Sequence, residues 1–232
     1  MADRPGLANR ALPVLSVMMR EAELYGYRAA DDGNPCEGVR RYRRPRRERH
    51  LDARELAVLG RYLARRAADR PVPVAAVETL LYTGCRAGEV LGLKWEYVRD
   101  GKIHLPDSKT EPKTVQASPQ VLAILDRLSN NGPHVFPDRA ERGPMTRASL
   151  HAFWRPLRER CGFPDVRLHD LRHTFASIAV QNGIPLATVG RLLGHRLGET
   201  TLKYVHLSDD GPRAAAVVSS GIAAIPRKGT GR

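Results

Sequence analysis

The stretch Leu168-His169-Asp170-Leu171-Arg172-His173-Thr174-Phe175-Ala176 carries a helical period and reactive side chains together. Leu171, Phe175 and Ile178 recur at helical spacing and predict a core-facing stripe, while His169, Arg172 and His173 fall together on another face. The helix is predicted over 169–182, with Gly183 as its stop. Two histidines four apart, with a carboxylate after the first, also imitate the zinc-protease pattern His-Glu-x-x-His. Arg172 beside them argues against a dication, because like charges repel, and Asp170 is shorter than the glutamate that serves as base in that pattern. No metal-ligand set is therefore assigned. A surface helix with incidental polar residues is the plain alternative, so neighbouring motifs must discriminate.

Upstream, Thr83-Gly84-Cys85 interrupts a helix predicted from Val72 to Tyr82, and another begins near Arg86. An arginine at a helix start combines a forked guanidinium with free backbone N–H groups, which suits phosphate oxygens. Glu89, one turn on, stands where it would orient Arg86. An ordinary helix-start salt bridge explains the same residues equally well. From Lys94 to Ser118 the period changes to two. Ile103-His104-Leu105 and Thr114-Val115-Gln116-Ala117 flank Asp107-Ser108-Lys109-Thr110-Glu111-Pro112-Lys113, which predicts a small antiparallel sheet with a hairpin. Lys102, Lys109 and Lys113 are half of the six lysines in a chain that otherwise uses arginine. Lysine can hand over a proton in the working range and arginine cannot, and Lys113 rivals Lys109 for that role.

Downstream, Gly194 ends a helix predicted over 186–193, His195 follows, and Tyr204 stands nine residues later in a helix predicted over 199–206. Tyrosine is a weak nucleophile at neutral pH unless cations stabilise its phenolate and the phosphoryl group it attacks. Alone, Tyr204 reads as a half-buried helix residue. Taken in order, Arg86, Lys109, His169, Arg172, His195 and Tyr204 suit the opening of a phosphodiester without a metal.

The 232 residues are enough for one full domain with a sizeable core and a short appendage. A net charge of +13 and a pI near 10.3 favour a polyanionic partner, although 32 arginines against six lysines also fit an arginine-rich compositional bias. Cys36, Cys85 and Cys161 are scattered, which indicates neither a disulfide framework nor a zinc site and fits a reducing cytosol. The N-terminus lacks the apolar run of a signal peptide, and Glu78 cuts the apolar stretch 72–82, so a soluble protein is expected.

Residues 7–28 carry Leu7, Ala11, Leu15, Met18, Ala22 and Tyr25 at steps of three and four, the stripe of an amphipathic helix that must pack on something else. A linker is expected over 31–50, with Arg40, Arg41, Arg43, Arg44, Arg46, Arg47 and Arg49 in ten positions. Such a run is usually solvated; beside a DNA-binding body it would track a backbone groove, and Arg40, Arg41, Arg43, Arg44, Arg46 and Arg47 are the candidates. The main domain opens at Leu51, where Asp52 and Glu55 form a capping-box variant before a helix to about Ala68. Further helices are expected near 119–129 and 146–161, with an Ala-rich one at 209–221.

These motifs together resemble the catalytic domain of the tyrosine recombinase, or phage integrase, family over residues 51–220. Thr-Gly-x-Arg-x-Gly-Glu-x-Leu-x-Leu-x-Trp resembles the first-arginine box, Leu-His-Asp-Leu-Arg-His-Thr-Phe-Ala the His-x-x-Arg box, Ser-Lys-Thr the lysine turn, and Leu-Leu-Gly-His with Tyr204 the closing box. The resemblance implies a mainly α fold with a small antiparallel β-sheet (α+β), that of DNA breaking-rejoining enzymes. It implies Tyr204 as nucleophile, Arg86, Arg172 and His195 around the phosphate, Lys109 as proton donor to the leaving 5'-oxygen, and His169 assisting proton transfer at the tyrosine. Glu89 and His173 would be supports. No cofactor is implied. The implied partners are double-stranded DNA, further copies forming a homotetramer on it through the 209–221 helix, and a directionality factor, in the cytoplasm of a bacterium near the nucleoid.

The family usually carries an N-terminal core-binding domain of several helices. Here residues 1–30 resemble a remnant of its last helix, 31–50 the linker, 51–221 the catalytic domain and 222–232 a flexible tail. Two other functions stay open at this point: a truncated DNA-binding remnant without recombination, and a type IB topoisomerase, which shares the chemistry but is less well matched in length and motif wording.

Overall fold

The computed structural model describes residues 4–29, 33–43, 49–106, 112–140, 142–194 and 211–223. The chain divides into two units, Met1–Arg47 and Glu48–Arg232.

In the first unit, α1 (Pro5–Leu24) starts on a proline, whose missing N–H is not needed in a first turn. It buries none of its residues, and Leu7, Leu15 and Met18 of the predicted stripe stay exposed. Residues 33–43 are strapped back onto this helix. Asn34 Nδ2 donates to the Ser16 carbonyl at 2.9 Å, and the Asn9 amide takes both backbone groups of Tyr42, at 2.8 and 2.9 Å. Arg40, Arg41 and Arg43 therefore lie on a segment tied to this helix, and all three are exposed.

The second unit begins before Leu51. Arg49 bonds Glu55 at 2.9 Å and Asp165 at 2.9 Å, so this arginine holds the body together and is not available to a groove. The pairing raises its pKa further above its ordinary value. α2 (Ala53–Arg66) carries the expected capping box: Asp52 Oδ1 accepts from Glu55 N at 2.8 Å, and Glu55 Oε2 accepts from Asp52 N at 3.0 Å.

The centre is α3 (Pro71–Thr83), buried from Pro73 to Thr83 and packed against α5 (Pro119–Leu125) and α7 (Asp170–Gln181). Leu80 and Val77, 2% and 0% exposed, each contribute roughly 1.5–3 kcal/mol by leaving water. Glu78 stays tolerable inside this helix because Arg127 pairs with it.

After α4 (Ala87–Leu91) and a 3-10 turn at Trp95–Tyr97 comes a three-stranded antiparallel sheet, β1 (Val98–Arg99), β2 (Lys102–Leu105) and β3 (Lys113–Gln116). Its register sets Val98 opposite Ile103, Ile103 opposite Val115 and Leu105 opposite Lys113. β1 was not expected; it pairs with β2 through Asp100-Gly101, both at positive φ, the backbone of a tight hairpin.

α6 (Arg147–Arg160) brings Trp154 into the core, where its Nε1 donates to the Val166 carbonyl at 3.1 Å. α8 (Leu186–Leu193) and α9 (Gly211–Ala223) both lie against α7. Val218 and Ile222 of α9 are buried on the chain's own body, and the helix runs to Ala223, one residue past the start of the expected tail at 222. Among the described residues no helix is long and apolar enough to cross a membrane.

Candidate active site

Gly84 ends α3 in the left-handed conformation at φ +63°, and a Cβ there would stand 2.7 Å from Phe175 Cδ1 and 2.8 Å from Leu193 Cδ2. Only glycine lets α7 and α8 close on the turn this tightly. The turn is braced from below: Thr83 Oγ1 donates to the Thr79 carbonyl at 2.6 Å and accepts from Cys85 N at 3.2 Å.

Arg86 leaves this turn half-buried and is held by Glu89. Its Nη1 donates to Glu89 Oε1 at 2.9 Å and its backbone N–H to Glu89 Oε2 at 2.9 Å. The carboxylate that orients the side chain thus also takes up the Arg86 backbone N–H, the N-cap donor of α4. Glu89 is buried, with a side chain 5% exposed, and Lys113 Nζ approaches its Oε2 at 2.8 Å. Burial pushes the Glu89 carboxyl up, but the Lys113 ammonium and the Arg86 N–H groups outweigh it and hold the pKa at about 2.

Arg172 departs from the expected shared face. At about 100° per residue it sits between the histidines and Phe175, and its side chain turns inward, 5% exposed. Nη1 donates to the Gly84 carbonyl at 2.8 Å and Nη2 to the Leu193 carbonyl at 2.7 Å. The guanidinium fork therefore bridges the end of α3 and the end of α8. Burial first, and the Arg86 charge second, lower its pKa.

His169, the residue before α7, and His173 remain on the exposed side, rings edge to face with centroids 5.1 Å apart. Desolvation of the His169 ring lowers its pKa, helped by the charges of His173, Arg172 and Arg86. Both effects favour the neutral imidazole, the form that accepts a proton. Asp170 is used structurally: its Oδ2 accepts from Arg167 N at 2.8 Å, and its carbonyl accepts from Thr174 Oγ1, which in turn takes the Leu51 N–H.

The structure thus gathers Arg86, Glu89, Arg172 and His169 around one turn, with His173 beside His169. Lys109, His195, Tyr204 and the arginines Arg44, Arg46 and Arg47 lie outside the described residues, as does the helix expected over 199–206. Arg40, Arg41 and Arg43 belong to the first unit. Nothing in the residue pattern points to the two carbonyls that seat Arg172. Lys113 as partner of Glu89 was also missed; the rarity of lysine in the chain was its one signal.

Residues 51–210 match the model of the phage integrase family. The chain is 34% identical over 149 residues to tyrosine recombinase XerD of Brucella suis biovar 1 (strain 1330), covering 59% of this chain and 48% of XerD. It therefore spans about half the length of the curated relatives it matches. Lambda integrase residues 75–356, solved as a dimer bound to a COC' core site, superimpose with a TM-score of 0.68 at 19% identity, covering 86% of this chain and 75% of that one. Lambda integrase as a tetramer bound to a Holliday junction gives 0.65 at 20% identity, covering 83% and 59%. These likenesses share the mainly helical fold with its small antiparallel sheet, and with the match over 51–210 they make the chain a member of the phage integrase family.

Proposed function

We propose that the chain carries the catalytic domain of a tyrosine-type site-specific DNA recombinase or integrase, which cuts and rejoins DNA through a 3'-phosphotyrosyl intermediate without metal or ATP. The observation that carries the reading is the pair Arg86 and Arg172. Two guanidinia are held around one glycine turn by separate anchors, close enough that the charge of one lowers the pKa of the other. Folding brings like charges together at a cost, and an anion between them relieves it. Donors fixed in advance also stabilise the charge that grows on a pentacoordinate phosphorus.

In this reading Tyr204 attacks the scissile phosphate and releases a 5'-hydroxyl. Arg86, Arg172 and His195 hold the non-bridging oxygens. Lys109 protonates the leaving oxygen, and neutral His169 takes the tyrosine proton. The phosphotyrosyl bond conserves the energy that a second strand's 5'-hydroxyl uses in rejoining. Glu89 orients Arg86, and His173 supports His169. Arg40, Arg41, Arg43, Arg44, Arg46 and Arg47 neutralise backbone phosphates. Residues 1–30 serve as a core-binding helix, 31–50 as the connection and 51–221 as the catalytic domain. The partners are double-stranded DNA in the bacterial cytoplasm, three further copies in a tetramer, and a directionality factor.

Covalent trapping tests this. The chain and Tyr204→Phe are incubated with a pool of duplexes nicked just downstream of candidate scissile phosphates. A denaturant-resistant adduct that vanishes in Tyr204→Phe is expected. Salt-sensitive binding with no adduct would identify a DNA-binding protein without strand transfer, and relaxation of supercoils lacking any recognition site would identify a topoisomerase.

A further inference from the structure

Lys113 opens β3, four residues after Lys109 in sequence, and its side chain is 12% exposed. Its Nζ is closed to solvent and lies 2.8 Å from Glu89 Oε2, the oxygen that also receives the Arg86 backbone N–H. The stem runs over the other turn of the site: a Cβ on Gly194, which caps α8 at φ +65°, would meet Lys113 Cδ at 3.0 Å and Nζ at 3.6 Å. One lysine thus touches the carboxylate that aims Arg86 and the last described residue before His195. Its charge is also felt at the buried Cys85 thiol between Gly84 and Arg86.

From this geometry we infer that Lys113 is a positioning residue for the first arginine, acting through Glu89, and not the proton donor of the reaction. The inference rests on the recombinase reading for what Arg86 does, and it divides the two lysines of the hairpin between two tasks. A general acid must reach the departing oxygen. Lys113 Nζ is instead packed between a buried carboxylate and a glycine turn. There its ammonium keeps Glu89 ionised, so that both carboxylate oxygens stay directed at Arg86. Glycine at 194 is what lets the stem pass, which ties the β3 edge to the end of α8.

Among the described residues, the charged and titratable groups in the field of Glu89 include Arg86 on its own turn, Lys113 from β3, Cys85, and Arg172 from α7. Removing the Lys113 charge leaves burial less opposed, so the Glu89 pKa rises and the acid limb of the cleavage profile moves to higher pH. Lys113→Met keeps the stem against Gly194 and deletes only the charge; Lys113→Arg keeps the charge.

The test is single-turnover adduct formation by the full chain, Lys113→Met, Lys113→Arg and Lys109→Ala. The probe is a nicked duplex selected with the wild-type chain, made with either a 5'-oxygen or a 5'-bridging sulfur leaving group. Circular dichroism checks that each variant is folded. Lys113→Met is expected to slow cleavage about 10- to 100-fold on both duplexes, as misplacement of a reacting group does. Its acid limb should shift upward, and Lys113→Arg should recover most of the rate. Sulfur is expected to rescue Lys109→Ala alone. Sulfur rescue of Lys113→Met, a wild-type rate in that variant, or a Lys113→Arg as slow as Lys113→Met each overturns the inference. If the wild-type chain forms no adduct, the recombinase reading fails instead. The 13C titration of the Glu89 carboxyl then decides the Lys113 contact alone: a pKa raised in Lys113→Met supports it, and an unmoved one overturns it.

Discussion

Arg86 and Arg172 lie on either side of the same glycine turn and are held in opposite ways. Arg86 is half-exposed and answers to a carboxylate, an ionisable partner with its own counter-charge from another strand. Arg172 is buried and answers to two main-chain carbonyls, which do not titrate. The contrast shows two methods of placing a cation. A carboxylate lets the guanidinium be tuned by charge and pH, whereas paired carbonyls fix it to the backbone of two helix ends and leave the net positive charge undiminished.

The largest expected effect comes from removing the fixed member. Arg172→Ala should lower covalent adduct formation on nicked DNA by about 10³-fold or more, and Arg172→Lys should be little better, because a single ammonium cannot reproduce the fork. Leaving each buried carbonyl unpaired should also cost about 1–3 kcal/mol in urea unfolding. An Arg172→Lys variant with near-normal activity would dissolve the contrast.

The turn itself comes next. Gly84→Ala combines a left-handed backbone with a Cβ 2.7 Å from Phe175, and about 2–5 kcal/mol of stability should be lost by chemical denaturation. The adduct rate should fall as well, since the carbonyl that seats Arg172 moves with the turn.

A smaller, pH-dependent effect sharpens the comparison. The Glu89 pKa is depressed from 4.5 to about 2, so its contribution to stability is complete above about pH 4.5 and disappears as pH falls towards 2. Glu89→Gln should abolish that part of the pH dependence, of order 1–3 kcal/mol, leaving the Arg172 anchorage untouched. Urea titrations of both proteins between pH 5 and 2.5 measure it. Equal slopes would show that Glu89 is not the titrating support.

The smallest effect concerns His169, which lies in the field of both arginines. Its lowered pKa means that stability present above pH 6.5 is lost as pH falls through and below that value, because the unfolded chain takes up the proton first. His173→Ala should raise the His169 pKa in a 1H–15N titration, removing one of the charges that oppose protonation, and an unmoved or lowered value would remove His173 from that field.

Much of the fold was legible because its determinants are local. The Asp52–Glu55 box, the glycines at 84, 183 and 194, and the Leu171–Phe175–Ile178 stripe each specify an end or a face within a few residues. β1 was missed because two residues are too short for a period to register, although Asp100-Gly101 was a readable hairpin signal. The inward turn of Arg172 was not legible, since its acceptors are carbonyls 88 and 21 residues away and any residue type supplies a carbonyl. Glu89 with Lys113 failed for the same reason: Glu89 sits in α4 and its partner arrives from β3. The strap from Asn9 to Tyr42 spans 33 residues and made a helix-bound segment look like open linker.

Glu89 also sets a balance of charge among its described neighbours. Among Arg86, Arg172, Lys113 and Glu89, three cations face one anion, an excess of two. In the recombinase reading a phosphodiester brings one negative charge and its pentacoordinate transition state two, so every cation that Glu89 leaves uncancelled favours the second over the first. In that reading Glu89, by offsetting one cation, weakens the hold on intact DNA more than it weakens the hold on the species in which the bond is half broken.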